Sequence, residues 1–214
     1  MSDKKQKKPR RRSRLYAALH FLLKWPLRGL CRLHRTGTEN EPTPDRGGYL
    51  VICNHLTWAD PIYLCATLEH SQPHFMAKRE LFKIPLLNVL IRALGAYPVN
   101  RGGADVGAIK HTISMLEDGL VVGMFPQGHR QNGKNPRSTK VKSGAALVAL
   151  KAGVPVLPVF IKVKNNRSRF LCRKEIIVGA PITPDELQFN PDEAGEYQRI
   201  AEYLFERVCS LGDH

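Results

Sequence analysis

The chain has 214 residues, of which 43% are hydrophobic and 24% charged, and it carries a formal net charge of +14. That length suits one domain, and the composition excludes wholesale disorder. The charge is lopsided: residues 1–35 hold 12 basic side chains against Asp3 alone, whereas residues 36–214 hold 21 basic and 18 acidic ones. The basicity therefore belongs to an N-terminal arm on a nearly neutral body. A spanning helix needs about 18 or more consecutive apolar residues, and Leu15–Leu23, enclosed by Arg14 and Lys24, is too short for that. Five cysteines, odd in number and without a Cys-x-x-Cys pair, disfavour a disulfide scaffold and a structural zinc site and point to a reducing cytosol. The basic start followed by an apolar stretch resembles a signal peptide, but Lys24-Trp25-Pro26-Leu27-Arg28 stands where a small-residue cleavage site would be needed.

Residues 1–14 form a polybasic, low-complexity arm of the kind that is disordered and binds something anionic. Residues 15–35 mix Leu, Phe and Trp with spaced Lys24, Arg28 and Arg32, which predicts two short amphipathic helices broken at Pro26. Apolar groups beside cations suit an anionic membrane surface, with hydrocarbon entering the acyl boundary and cations against lipid phosphates. The competing reading is a domain-packing helix behind a solvated tail. No specific nucleic-acid partner is expected, because no helix-turn-helix pattern or aromatic-plus-basic platform recurs later. Residues 36–48, rich in Pro and Gly, read as a linker or long loop.

Beyond the linker, strand-like and helix-like periodicities alternate. Strands are predicted at Gly48–Asn54, His74–Ala77, Ala96–Val99, Leu120–Phe125, Pro155–Lys162 and Arg173–Val178. Helices are predicted at Pro61–Leu68, Leu86–Leu94, Val106–Leu116 and Ser143–Ala152. Residues 126–140 read as a basic, glycine-containing loop. Asn190-Pro191-Asp192-Glu193 carries a helix start, with Asn as cap and Pro in the first position. The pattern predicts an α/β fold: a single domain, residues 36–214, with a mixed, partly parallel sheet flanked by helices and preceded by N-terminal amphipathic helices.

Two constellations carry chemistry. His55 and Asp60 sit just past a buried strand, in the position where open α/β sheets bind ligands. In a strand-to-helix turn Asp60 can accept a hydrogen bond from one ring nitrogen of His55 and leave the other as a base. Against this stand two plain alternatives: Asp60 before Pro61 makes a good helix cap, and His55 makes a satisfied core histidine. The second constellation is Phe125-Pro126-Gln127-Gly128-His129-Arg130, where a glycine allows close backbone approach and an arginine can fork onto a phosphate. Gly128-x-x-x-x-Gly133-Lys134 nearly spells a nucleotide phosphate loop, but Asn135 and Pro136 replace the required Ser or Thr and helix start. Lys78 and Arg101 are further candidate cations, each by default a solvated surface charge. His70 and His74 make no helical metal pair, because Pro73 lies between them; no metal site is expected.

Asn54-His55-x-x-x-x-Asp60, Gly95-x-x-x-x-x-Arg101, Phe125-Pro126-x-Gly128-x-Arg130 and Val154-Pro155-Val156-Leu157-Pro158-Val159 occur in that order. Together they resemble the glycerolipid acyltransferase family, in particular bacterial 1-acyl-sn-glycerol-3-phosphate acyltransferases. The resemblance spans residues 48–182. It implies transfer of a fatty acyl group from acyl-CoA or acyl-carrier protein, as co-substrate rather than resident cofactor, to the hydroxyl of a lysophospholipid. The acceptor implied first is 1-acyl-sn-glycerol 3-phosphate, with another lysolipid or lipid acceptor as the alternative; a non-catalytic basic lipid- or nucleic-acid-binding protein is the remaining one. The place implied is the cytoplasmic face of the cell membrane, without crossing it. It further implies His55 as general base, Asp60 as its orienting partner, Arg130, Lys78 and Arg101 as ligands of the acceptor phosphate, and Gly128 as a position needed for its backbone. Two positions depart from the family pattern, Gln127 for Glu and His129 for Thr. Both are possible acceptor contacts, and Gln127 makes the site more cationic.

Overall fold

The computed structural model describes residues 13–100, 105–169 and 171–213. Its layering follows from strand β2 (Leu50–Cys53), in which every residue is buried. A strand that is apolar on both sides must be covered on both faces. Leu50 and Ile52 pack against α4 (Val106–Glu117), α5 (Gly144–Ala152) and α6 (Glu196–Ser210). Val51 and Cys53 point the other way, into a cluster with α1 (Arg14–Leu30) and α2 (Asp60–Thr67). The alternation along one four-residue strand thus separates two cores and produces a helix–sheet–helix sandwich.

The sheet has seven strands in the order β1-β7-β6-β2-β5-β3-β4. The remaining strands are β1 (Leu33–Thr36), β3 (Pro73–Lys78), β4 (Ala96–Val99), β5 (Val121–Met124), β6 (Val156–Lys162) and β7 (Lys174–Val178), and α3 (Pro85–Ala93) joins β3 to β4. All pairings are parallel except β6 with β7. Parallel neighbours require crossovers, which the intervening helices supply. In consequence the carboxyl ends of β2, β5 and β3, neighbours in space though distant in sequence, open on one edge of the sheet.

Three local expectations are corrected. The N-terminal amphipathic segment is one helix that continues through Pro26, not two. Proline deprives the Leu22 carbonyl of its partner, and both residues are exposed, so that carbonyl is not trapped in a core. Leu33–Thr36, read as the end of the amphipathic segment and the first residue of the linker, instead pairs in parallel with β7, from Leu33 opposite Lys174 to Thr36 opposite Ile177. Asn190-Pro191 does not open α6. The Asn190 side chain accepts from Asp192 N (3.2 Å), Gly195 turns the chain at φ 86°, and the helix starts at Glu196, whose carboxylate accepts from Asn190 N (3.1 Å).

Among the described residues, no helix is long and apolar enough to cross a membrane. The start of α1 is held at Gln72, whose amide oxygen accepts from Ser13 N (3.1 Å). Its last turn is held by Arg28, which donates to Ala66 O (2.7 Å) and pairs with Glu69 (3.0 Å).

Candidate active site

The chain leaves β2 through Asn54, which is buried and hydrogen-bonds both backbone groups of Ile161 through its side chain, accepting from N (2.7 Å) and donating to O (3.1 Å). This amide copies a strand pairing, fastens the end of β2 to β6, and sets the following turn. Within that turn His55 Nδ1 lies 2.9 Å from Asp60 Oδ2. Asp60 is wholly buried at the first position of α2. Its Oδ2 also accepts from the backbone N–H groups of Leu56 (2.6 Å) and Thr57 (2.8 Å), and Oδ1 accepts from Thr57 Oγ1 (2.9 Å). Four donors fill the acceptor capacity of a carboxylate. The expected alternative, Asp60 as a helix cap, is not realised: its oxygens turn back onto the loop before the helix. A carboxylate at Nδ1 places the ring proton there and leaves Nε2 as the basic nitrogen.

The imidazole is also fixed by stacking. Its ring lies 4.1 Å from that of Phe125, nearly parallel at 18°, and Phe125 stacks in turn on Phe75 at 5.9 Å. Phe75 has room only because β5 carries Gly123, where a Cβ would fall 2.0 Å from the Phe75 ring. The His55 side chain keeps 10% of its surface open. It is thus a largely buried histidine held in place by its neighbours, with a small window left open.

The loop after β5 supplies the second half of the site. Gln127, a candidate acceptor contact, is only 1% exposed. Its Oε1 accepts from His55 N (2.7 Å) and its Nε2 donates to Thr139 Oγ1 (2.7 Å). Both ends of its amide are thus engaged within the protein, and it braces the His55 turn. Gln131 N donates to His55 O (2.7 Å), so both backbone polar groups of His55 are tied to this loop. The Gln131 amide lies 2.7 Å from His129 Nε2, and His129 is exposed. Gly128 adopts φ 73°, and a Cβ there would meet the Lys142 stem at 2.8 Å. Arg130 is exposed on the same loop, and Lys78 is exposed at the end of β3. Arg101 lies outside the described residues. Lys142 was not singled out in the sequence; the basic triplet pattern Lys140-Val141-Lys142 ahead of an Ala/Leu helix was its signal, and the bond from Lys142 N to Pro126 O (2.9 Å) brings it back to Gly128.

Cys53, directly before the turn, is fully buried, and its thiol is pushed well above the ordinary value by burial and then by the Asp60 charge. It is a protonated core thiol and not a nucleophile. A cleft of about 820 Å³, lined by Tyr49, His74, Tyr97, His111 and Leu120 among others, lies at the amino ends of the strands, opposite the His55 edge. Among the described residues, no group of three or more His, Cys, Asp or Glu side chains is arranged to hold a metal ion.

A family model described as acyltransferase matches residues 33–162. The chain is 33% identical over 182 residues to a 1-acyl-sn-glycerol-3-phosphate acyltransferase of Streptococcus pneumoniae, covering 83% of this chain and 65% of that protein. It is 29% identical over 175 residues to the Bacillus subtilis protein of the same name, covering 81% of this chain and 85% of that one. The chain thus spans slightly less than two thirds of the pneumococcal relative. The crystal structure of a 1-acyl-sn-glycerophosphate (LPA) acyltransferase from Thermotoga maritima shares the fold, with a TM-score of 0.66 at 23% identity over 94% of this chain and 85% of that one. With a matching model over more than half its length and a buried His–Asp pair at the carboxyl edge of an α/β sheet, the chain belongs to the acyltransferase family.

Proposed function

We propose that this chain transfers a fatty acyl group from a thioester donor, acyl-CoA or acyl-carrier protein, to the free hydroxyl of a lysophospholipid, foremost 1-acyl-sn-glycerol 3-phosphate to give phosphatidic acid. The observation that carries this reading is the His55 Nδ1–Asp60 Oδ2 hydrogen bond of 2.9 Å, set beside a loop that presents Arg130, His129 and Lys142. The names of the relatives favour the same acceptor.

In this mechanism neutral His55 takes the hydroxyl proton through Nε2 as the oxygen attacks the thioester carbonyl. Base catalysis of this kind contributes about 10²–10⁴-fold. The carbon–sulfur bond then breaks, and the imidazolium returns its proton to the leaving thiolate. Asp60 holds the ring and favours the charge it acquires. No acyl-enzyme is invoked, in keeping with the protonated state of Cys53. Arg130, Lys78 and Lys142 hold the acceptor phosphate, and Arg101 is a further candidate. Positioning of this sort supplies at most about 7–11 kcal/mol. The substrate is reached at the cytoplasmic membrane surface through α1, whose Leu15, Phe21, Leu22, Trp25 and Leu30 are exposed, assisted by the basic arm.

The test is a radiolabelled transfer panel with the full chain, two donors, and lysophosphatidic acid, lysophosphatidylethanolamine and monoacylglycerol as acceptors. The expected order places lysophosphatidic acid first and the phosphate-free monoacylglycerol last. Equal turnover of monoacylglycerol would remove the phosphate clamp from the account.

A further inference from the structure

Helix α3 contradicts the pattern of a helix lying between a protein body and water. Leu87, Ile91 and Leu94, spaced four and three, are half-buried. The outward row should then be polar. Instead Leu86 is 88% exposed, Val89 67% and Leu90 43%, and Ile84 just before the helix is 49% exposed. No residue of α3 is buried, and Asn88 and Arg92 are its only polar residues.

Cations frame this apolar row. Residues 78–92 contain Lys78, Arg79, Lys83 and Arg92 against Glu80 alone, and all five are exposed. Exposed aliphatic groups rimmed by basic ones match the headgroup boundary of an anionic bilayer. An acidic protein would satisfy the cations yet leave Leu86 and Val89 without apolar cover unless it brought its own apolar face.

One end of α3 also adjoins the start of a second helix with exposed apolar residues. Gln72 accepts from Ser13 N at the start of α1 (3.1 Å) and donates to Ala93 O at the end of α3 (3.4 Å). One side chain therefore joins the two helices that carry most of the exposed large apolar residues. At its other end α3 follows Lys78 after a single 3-10 turn (Arg79–Lys83), so its leading end adjoins the cationic rim of the site.

We propose that α3, together with Ile84, is a second membrane-inserting element, which seats the rim of the active site in the headgroup layer of an anionic bilayer. The proposal rests on the reading that the acceptor is a membrane lipid, but its test does not depend on turnover.

The experiment compares the full-length protein with the double variant Leu86→Glu/Val89→Glu in co-sedimentation with phosphatidylglycerol–phosphatidylcholine vesicles. Both are also assayed on a short-chain lysophosphatidic acid below its micellar concentration. Both substitutions are at exposed positions, and circular dichroism confirms the fold. The expected result is at least about tenfold weaker partitioning with turnover of the monomeric substrate retained. Wild-type partitioning by the double variant overturns the proposal. So does unchanged partitioning with turnover lost only when acyl-carrier protein is the donor, which marks α3 as a protein-docking face. A second variant, Leu86→Trp, should add emission that brominated lipid quenches; no added quenching also overturns it. Loss of acyl transfer by the wild type on every lysolipid would refute the proposed function and leave the partitioning result intact.

Discussion

Asp60 is the residue on which the local geometry turns, because it satisfies a ring nitrogen, two backbone N–H groups and a hydroxyl at once. Asp60→Asn would set an amide N–H₂ against some of those donors. Leaving buried donors unpaired costs about 1–3 kcal/mol. The variant should therefore lose stability by that amount in urea unfolding and also lose acyl transfer. An unchanged unfolding midpoint would show that these contacts do not hold the turn. Gln127 makes a parallel case on the opposite side of His55. Gln127→Leu strands the buried His55 N–H and removes the donor to the Thr139 hydroxyl, which keeps its own bond to Pro136 O, and is expected to cost about 1–3 kcal/mol and to lower turnover with both phosphate-bearing and phosphate-free acceptors. A selective loss with phosphate-bearing acceptors alone would instead make Gln127 an acceptor contact.

At the scale of elements, β5 shapes the site through a missing side chain. Gly123→Ala drives a methyl into the Phe75 ring, and the displacement should pass through Phe125 to His55. Overpacking of this kind costs about 1–3 kcal/mol. Adding Phe75→Leu should recover part of both stability and turnover, a non-additivity that a double-mutant cycle measures directly. Additive losses would break the proposed chain of rings. A second device ties α1 to the body. Glu69 receives Arg28 (3.0 Å) and Arg35 (2.7 Å), and the Arg35 hydrogen bond foremost holds its carboxyl at about 2, below the ordinary 4.5. Because the folded state lowers this pKa, the stabilisation is full above about pH 4.5 and is lost as pH falls through about 2. The stability difference between the wild type and Glu69→Gln should shrink across that window. A difference that does not change with pH would contradict the tether.

The whole molecule explains which features could be read in advance. The strand–helix alternation was legible because β2, β5 and β6 are short apolar runs and α4 and α5 keep helical spacing. Strand β1 was not, because Leu-His-Arg-Thr has no such run and gains its place only by pairing with β7. His55 and Asp60 were legible because their spacing fits one turn. The inward orientation of Gln127 and the approach of Lys142 to Gly128 were not, because both depend on how a loop of more than a dozen residues returns to the sheet. The fold also refines how the N-terminal region can be tested. Tyr16 and Cys31 are buried in the core, so removing residues 1–34 would damage the domain. Removing residues 1–12, with seven basic side chains and one acid, is the cleaner cut. Each cation near an anionic surface contributes about 1 kcal/mol, so the truncated protein should bind anionic vesicles more weakly and with a shallower salt dependence. Unchanged affinity and salt dependence would exclude the arm from membrane binding.

In the proposed reaction one imidazole, oriented by one carboxylate, takes the proton of the acceptor hydroxyl. Radiolabelled acyl transfer to lysophosphatidic acid by His55→Ala, measured beside the wild type on protein of matched circular dichroism, tests it most directly. The expected result is a fall of about 10²–10⁴-fold in turnover. Turnover within about threefold of the wild type, far short of the loss expected when a general base is removed, would contradict it.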